Sequence, residues 1–157
     1  MFHDTHSEDS PGVTFIPPKV FALAFIMGVM LEVAMPIIPT TWVTIFIGLI
    51  VTALAFCLMM SAHTKFQKMG TNVSTFRSAS TMVTCGLYGR TRNPMYIGMV
   101  SIFAGLAITF SSIWMGLAAY GVWKYLDVYV VPREEAYMER AFGYDYRKYS
   151  ARVPRWL

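Results

Sequence analysis

From Trp42 to Ala62 the chain reads WVTIFIGLIVTALAFCLMMSA, 21 residues without a charged side chain. A helix crossing a bilayer core about 30 Å thick needs roughly 20 mainly apolar residues, so this stretch suffices by itself. Upstream, Val20 to Pro39 (VFALAFIMGVMLEVAMPIIP) has similar length, with Glu32 as its single charge. Only Thr40-Thr41 separates the two, a connector that permits nothing but a hairpin turn. Downstream, Met95 to Phe110 (MYIGMVSIFAGLAITF) and Ile113 to Val131 (IWMGLAAYGVWKYLDVYVV) form a second apolar pair around Ser111-Ser112. The expected fold is all-α: a polytopic membrane helix bundle of about four transmembrane helices in two hairpins, at 20–39, 42–62, 95–110 and 113–131, plus short C-terminal interfacial helices.

Composition agrees, because 55% of the 157 residues are hydrophobic and only 14% are charged, against about 45–50% and about 25% in soluble domains. No unit recurs along the chain, so a single domain at 19–157 is expected. Lys19 precedes the first span, Lys65, Lys68, Arg77, Arg90 and Arg92 lie between the hairpins, and Arg133 to Arg155 follow the last span. Neither hairpin turn holds a basic residue, which directs both termini and the middle segment to the cytoplasm. The net charge of +4 thus reads as an orientation signal, and a nucleic-acid partner is not expected, since the basic residues flank spans and form no soluble patch. The opening MFHDTHSEDSPG lacks Lys and Arg, hence the basic region of a cleaved signal peptide, and residues 1–18 are expected to be a disordered cytoplasmic tail. Cys57 and Cys85 fit no metal-ligand spacing, and no metal site is expected. The expected location is a bacterial or archaeal inner membrane.

The cytoplasmic loop 63–94 is long for a structureless connection, which points to function. After the last span, REEAYMERAF and YDYRKY have helical composition with Gly143 between them. They predict two short interfacial helices within 133–157, with Trp156 and the tyrosines at headgroup level.

The densest polar signal is GRTRNPMY, Gly89 to Tyr96. Pro94 disfavours α geometry at Asn93 and suits the first helical position, while Asn93 suits the N-cap. A helix start beside Arg90 and Arg92 is a site for a carboxylate or phosphate, and it equally describes a capped span with snorkelling arginines. Glu134-Glu135 follows the fourth span on the same membrane face. Acids there call for a partner, either Arg90 or Arg92 across the bundle or a cationic ligand. Lys124 and Asp127, three apart on one helix face, predict an internal ion pair or a cofactor contact, and Glu32 is an intramembrane carboxylate with a potential functional role.

Gly70-Thr71, MVTCGLYGRTRNPMYIG from Met82 to Gly98, and EEAYMERAFGYDYRKYSARVPRW from Glu134 to Trp156 resemble, in order, spacing and topology, the isoprenylcysteine carboxyl methyltransferase and phospholipid methyltransferase superfamily of integral-membrane enzymes. The resemblance implies S-adenosylmethionine as cofactor and membrane lipids as surroundings. It also implies a membrane-partitioning methyl acceptor: a prenylcysteine carboxylate, a phospholipid amine or a small thiol. By the same resemblance Gly86, Leu87 and Tyr88 contact the cofactor, Arg92, Asn93, Pro94 and Tyr96 line its pocket, and Glu134 and Glu135 hold its polar end. Arg92 and Glu135 are the expected catalytic pair, the first orienting an acceptor and the second placing the cofactor. The chain departs from the family's GPYR with Gly86-Leu87-Tyr88-Gly89, and NVSTFRSAS after Gly70-Thr71 lacks the family's prolines. Two alternatives stand beside this reading: the terminal part of membrane sterol reductases resembles the same fold and binds NADPH, and a non-catalytic membrane protein would retain it as well.

Overall fold

The computed structural model of the chain describes residues 17–68 and 82–157. The expected tail up to residue 16, and the loop stretch with Gly70-Thr71 and NVSTFRSAS, lie outside the described residues. Within them every regular element is helical: α1 (Pro17–Ala34), α2 (Trp42–Lys68), α3 (Pro94–Thr109), α4 (Ile113–Tyr125) and α5 (Val131–Ser150). A 3₁₀ turn at Gly86–Gly89 precedes α3, and a π-helical segment, Leu126–Val130, joins α4 to α5 without a break.

Several boundaries differ from the sequence expectation. Pro17 and Pro18, expected in the tail, open α1, where a fixed φ and a missing N–H cost nothing. That helix stops at Ala34, not Pro39, because Pro36 removes an amide and disfavours helical geometry at Met35. The connector is therefore 35–41, and Thr41 ends it by capping α2: Thr44 N–H donates to Thr41 Oγ1 at 3.2 Å while Thr41 N–H donates to Thr44 Oγ1 at 3.1 Å. At the α3–α4 turn Ser111 takes a positive φ of 51°, and Ser112 Oγ accepts from Met115 N–H at 3.1 Å. In α5, Gly143 breaks the helical path with φ 50° and ψ −115°.

Packing follows the small residues. α2 lies antiparallel on α3, with Gly48 against Thr109, Thr52 against Gly105 and Met59 against Gly98. A Cβ on Gly98 would meet Met59 Cβ at 2.7 Å and its backbone nitrogen at 2.8 Å, so the two backbones touch where only glycine fits. The hydroxyls along this seam bond back to their own helices, Thr52 Oγ1 to Gly48 O at 2.8 Å and Thr109 Oγ1 to Gly105 O at 2.9 Å. α1 packs on α4, where Gly28 faces Met115, and α4 packs on α3. Across the layer the order is α1, α4, α3, α2. The expected first hairpin is thus not a packed pair, because α1 and α2 are held apart by the α3–α4 pair between them. Phe21 meets Phe103 edge-on at 5.4 Å within the core of Met115, Val122, Leu126 and Val130.

Two helices, α1 and α2, are long and apolar enough to cross a membrane, and only 11% of each apolar stretch is buried. Leu23, Ile26, Met30 and Val33 on α1, and Val43, Phe46 and Leu54 on α2, are exposed. Water would penalise such a surface at about 25 cal/mol per Å² of apolar area, whereas hydrocarbon would not. Such low burial is unlike that of a soluble protein's core helix and suits a hydrocarbon environment.

The glycine seam generates a test of the α2–α3 packing. Gly98→Val should lower the stability of the detergent-solubilised protein by about 1–3 kcal/mol through overpacking. Gly116→Ala, where an added Cβ meets nothing within 4 Å, should be neutral or slightly stabilising. Thermal unfolding midpoints of both variants check this.

Candidate active site

Three segments converge beneath the α3 N-terminus: the approach Thr91–Asn93, the junction of α4 with α5, and the C-terminal residues 151–157. The 3₁₀ turn supplies one wall. Gly86 sits at φ 67°, which an L side chain rarely adopts, so its place in the motif is conformational. A Cβ on Gly89 would lie 3.3 Å from Thr84 O, a tight fit where the family pattern has arginine. Tyr88 is buried, with Ala62 and Val83 in one cluster, and its carbonyl accepts from the Tyr149 hydroxyl at 2.7 Å.

Asn93 and Pro94 occupy the cap and first positions of α3, but the Asn93 side chain does not cap the helix. Its amide donates instead to Arg155 O at 3.0 Å, and Thr91 Oγ1 donates to the same carbonyl at 3.1 Å. Arg92 N–H donates to Pro154 O at 2.9 Å. The C-terminal segment is thereby tied to the approach of α3 through two of its carbonyls.

At the centre stands Glu135. Arg92 Nη1 lies 2.9 Å from Glu135 Oε1, and Arg155 meets the same carboxylate with Nε at 3.0 Å and Nη2 at 2.6 Å. Arg92 Nη1 also donates to the Tyr146 hydroxyl at 3.2 Å, while Arg92 Nε is buried with no hydrogen-bond partner among the described residues. Arg155 Nη1 reaches Asp127 Oδ1 at 3.4 Å, and the Trp156 indole N–H donates to the same oxygen at 2.9 Å. Hydrogen bonding to Glu135 raises the Arg155 pKa, and burial raises that of Tyr146. Of the two acids, Glu134 turns to the α3 side: its Oε1 accepts from the Tyr96 hydroxyl at 2.6 Å. Burial pushes its carboxyl up to about 7, with the Tyr96 bond pulling the other way and the Glu135 charge adding to the rise.

The structure brings Arg92, Asn93, Pro94, Tyr96, Glu134 and Glu135 to one end of the helices, with Leu87 and Tyr88 in the adjoining turn. Arg90 is exposed and enters no ion pair among the described residues. Asp127 pairs with Arg155, not with Lys124, whose Nζ lies 5.7 Å from the Trp123 ring centroid. The π-helical segment explains the change, since it breaks the three-residue phase that put Lys124 and Asp127 on one face. The sequence singled out Asp127 but with Lys124 as its partner, and it did not mark Tyr146, Arg155 and Trp156 as site residues. The visible signal for the last two was RVPRW, which reads equally as an interfacial anchor.

A family model described as phospholipid methyltransferase matches residues 43–145, about two thirds of the chain. Curated proteins and solved structures gave no match. The matched range holds the α3 start and the acid pair but ends before Arg155.

Glu134 makes stability pH-dependent. Its folded pKa of about 7 lies above the ordinary 4.5, so the folded protein keeps a proton that the unfolded chain releases. The stabilisation is full below about pH 4.5 and is lost as pH rises through about 7. Wild-type thermal midpoints should fall between pH 5 and pH 8. Glu134→Gln, which still offers Tyr96 an acceptor, should flatten that dependence.

Proposed function

Because the chain belongs to the phospholipid methyltransferase family, it is a membrane methyltransferase, and we propose that its methyl donor is S-adenosylmethionine and its acceptor a molecule that partitions into the bilayer. The observation that carries the reading is the pairing at Glu135 and Arg92. A half-buried carboxylate stands beside a guanidinium whose Nε–H is buried and unsatisfied among the described residues. Such a donor invites an anionic oxygen, because a buried polar group without a partner costs about 1–3 kcal/mol.

These residues fit the group. S-adenosylmethionine bears a carboxylate, an ammonium and a sulfonium, and when bound it supplies an electrophilic methyl. Arg92 Nε would take the carboxylate, Glu135 the ammonium, and the tyrosine-rich wall of Tyr88, Tyr96 and Tyr146 would suit the sulfonium. Glu134, bonded to Tyr96, would hold that ring in place. Above about pH 7 its deprotonated carboxylate would be the form able to take a proton from an amine or thiol acceptor. Arg92 and Glu135 would align the reactants, which is what an in-line methyl transfer demands of a protein.

We place the site at the cytoplasmic surface, from the Lys and Arg flanking the spans. In this arrangement α3 and the continuous α4 and π-helical stretch, 18 residues from 113 to 130 and as long as α1, complete four crossings. Candidate acceptors are a prenylcysteine carboxylate, a phospholipid amine and a small thiol.

Calorimetry on the purified protein tests the donor, and radiolabelled methyl transfer to those three acceptor classes tests the reaction. S-adenosylmethionine should bind, and Glu135→Gln should weaken it about tenfold or more while the protein stays folded. Binding of NADPH in place of S-adenosylmethionine would overturn the assignment.

A further inference from the structure

Glu135 already carries two guanidinium groups. Adding the ammonium of a ligand would set three cations around it, so entry of that ammonium calls for exchange and not addition. Arg155 is the cation placed to leave. Its side chain is 34% exposed against 16% for Arg92, and it alone of the two touches a second carboxylate, Asp127 Oδ1 at 3.4 Å. Its backbone stays anchored, because Arg155 O accepts from Thr91 Oγ1 and Asn93 Nδ2 and Pro154 O accepts from Arg92 N–H. Movement is thus confined to the side chain. The Trp156 indole holds Asp127 in place, so the second docking point is fixed in advance.

We propose that Arg155 is a resident cation of the cofactor site, seated on Glu135 in the ligand-free protein and transferred to Asp127 when the ammonium of the bound cofactor takes Glu135. The inference rests on the S-adenosylmethionine reading above and adds to it a built-in competitor. Seated there, Arg155 fills the side of Glu135 that an incoming ammonium would take, while Arg92 keeps the other. The apparent affinity for cofactor is lowered by the fraction of molecules in which Arg155 sits on Glu135.

Competition reverses the sign expected of an ordinary binding or scaffolding residue. Titration calorimetry with S-adenosylmethionine on the full-length protein should show Arg155→Gln binding about 3- to 10-fold tighter than wild type, by release of the closed fraction. Asp127→Asn should bind about 3- to 10-fold weaker, because Arg155 then loses the only other carboxylate it contacts among the described residues. The double variant should match Arg155→Gln alone. Wild-type or weaker binding by folded Arg155→Gln overturns the proposal. Should that variant fail to fold, Asp127→Asn decides: wild-type or tighter binding there also overturns it. Failure of the wild-type protein itself to bind S-adenosylmethionine would remove the methyl-donor assignment, whereas binding with the wrong signs would remove Arg155 exchange alone.

Discussion

A carboxylate shared by two guanidinium groups holds this molecule's polar end together. Glu135 belongs to the first turns of α5, Arg92 to the approach to α3, and Arg155 to the C-terminal segment. No single helix could position all three, and each would be an uncompensated charge at an apolar boundary without the others. Removing one partner from a fully buried pair costs about 3–5 kcal/mol, a cost that the partial exposure of these side chains reduces. With Asp127 included, two positive and two negative side chains balance. Glu134, next to Glu135, escapes the like-charge penalty by keeping its proton toward neutral pH.

That polar end sits on a fold with little polar content elsewhere. α2 and α3 approach through glycine and threonine, so dispersion forces between backbones replace the hydrophobic effect that lipid cannot supply. α1, applied to α4, contributes Phe21 to the core and leaves its other faces to hydrocarbon. Rigidity at the site thus comes from the α3–α4 pair, which carries Asn93-Pro94 at its start and the acids beyond its end.

Much of this was legible in the sequence, for identifiable reasons. Long charge-free runs have few physical interpretations, so the helical class, the start of α2 and the course of α3 could be read directly, whereas α2 runs on to Lys68 through polar residues expected in the loop. Pro94 fixed the α3 start to the residue. The α1 end was misplaced because Met35 to Pro39 is apolar enough to pass for span, although its prolines end the helix. The pairing of helices was not readable, since α1 and α2 are adjacent in sequence while the steric fit that chooses neighbours lies in Gly28, Gly48, Gly98 and Gly105. The acid pair was marked by its unexpected charge. Arg155 went unnoticed because an arginine after the last span already had a topological explanation, and Asp127 was matched to Lys124 because ideal helix periodicity assigned it that face.

The π-helical segment from Leu126 to Val130 bears on how this architecture tolerates change. An extra residue in a helical turn shifts everything beyond it by about 100° relative to a continuous α-helix. α4 is therefore free to present its apolar stripe to α1 and α3, while α5 points Glu134 and Glu135 in a direction α4's phase would not have allowed. The segment acts as a phase joint between two surfaces with different demands, one answering to packing and one to chemistry. Loss of a single residue there would rotate both acids away from Arg92 and Tyr96 with every side chain still present.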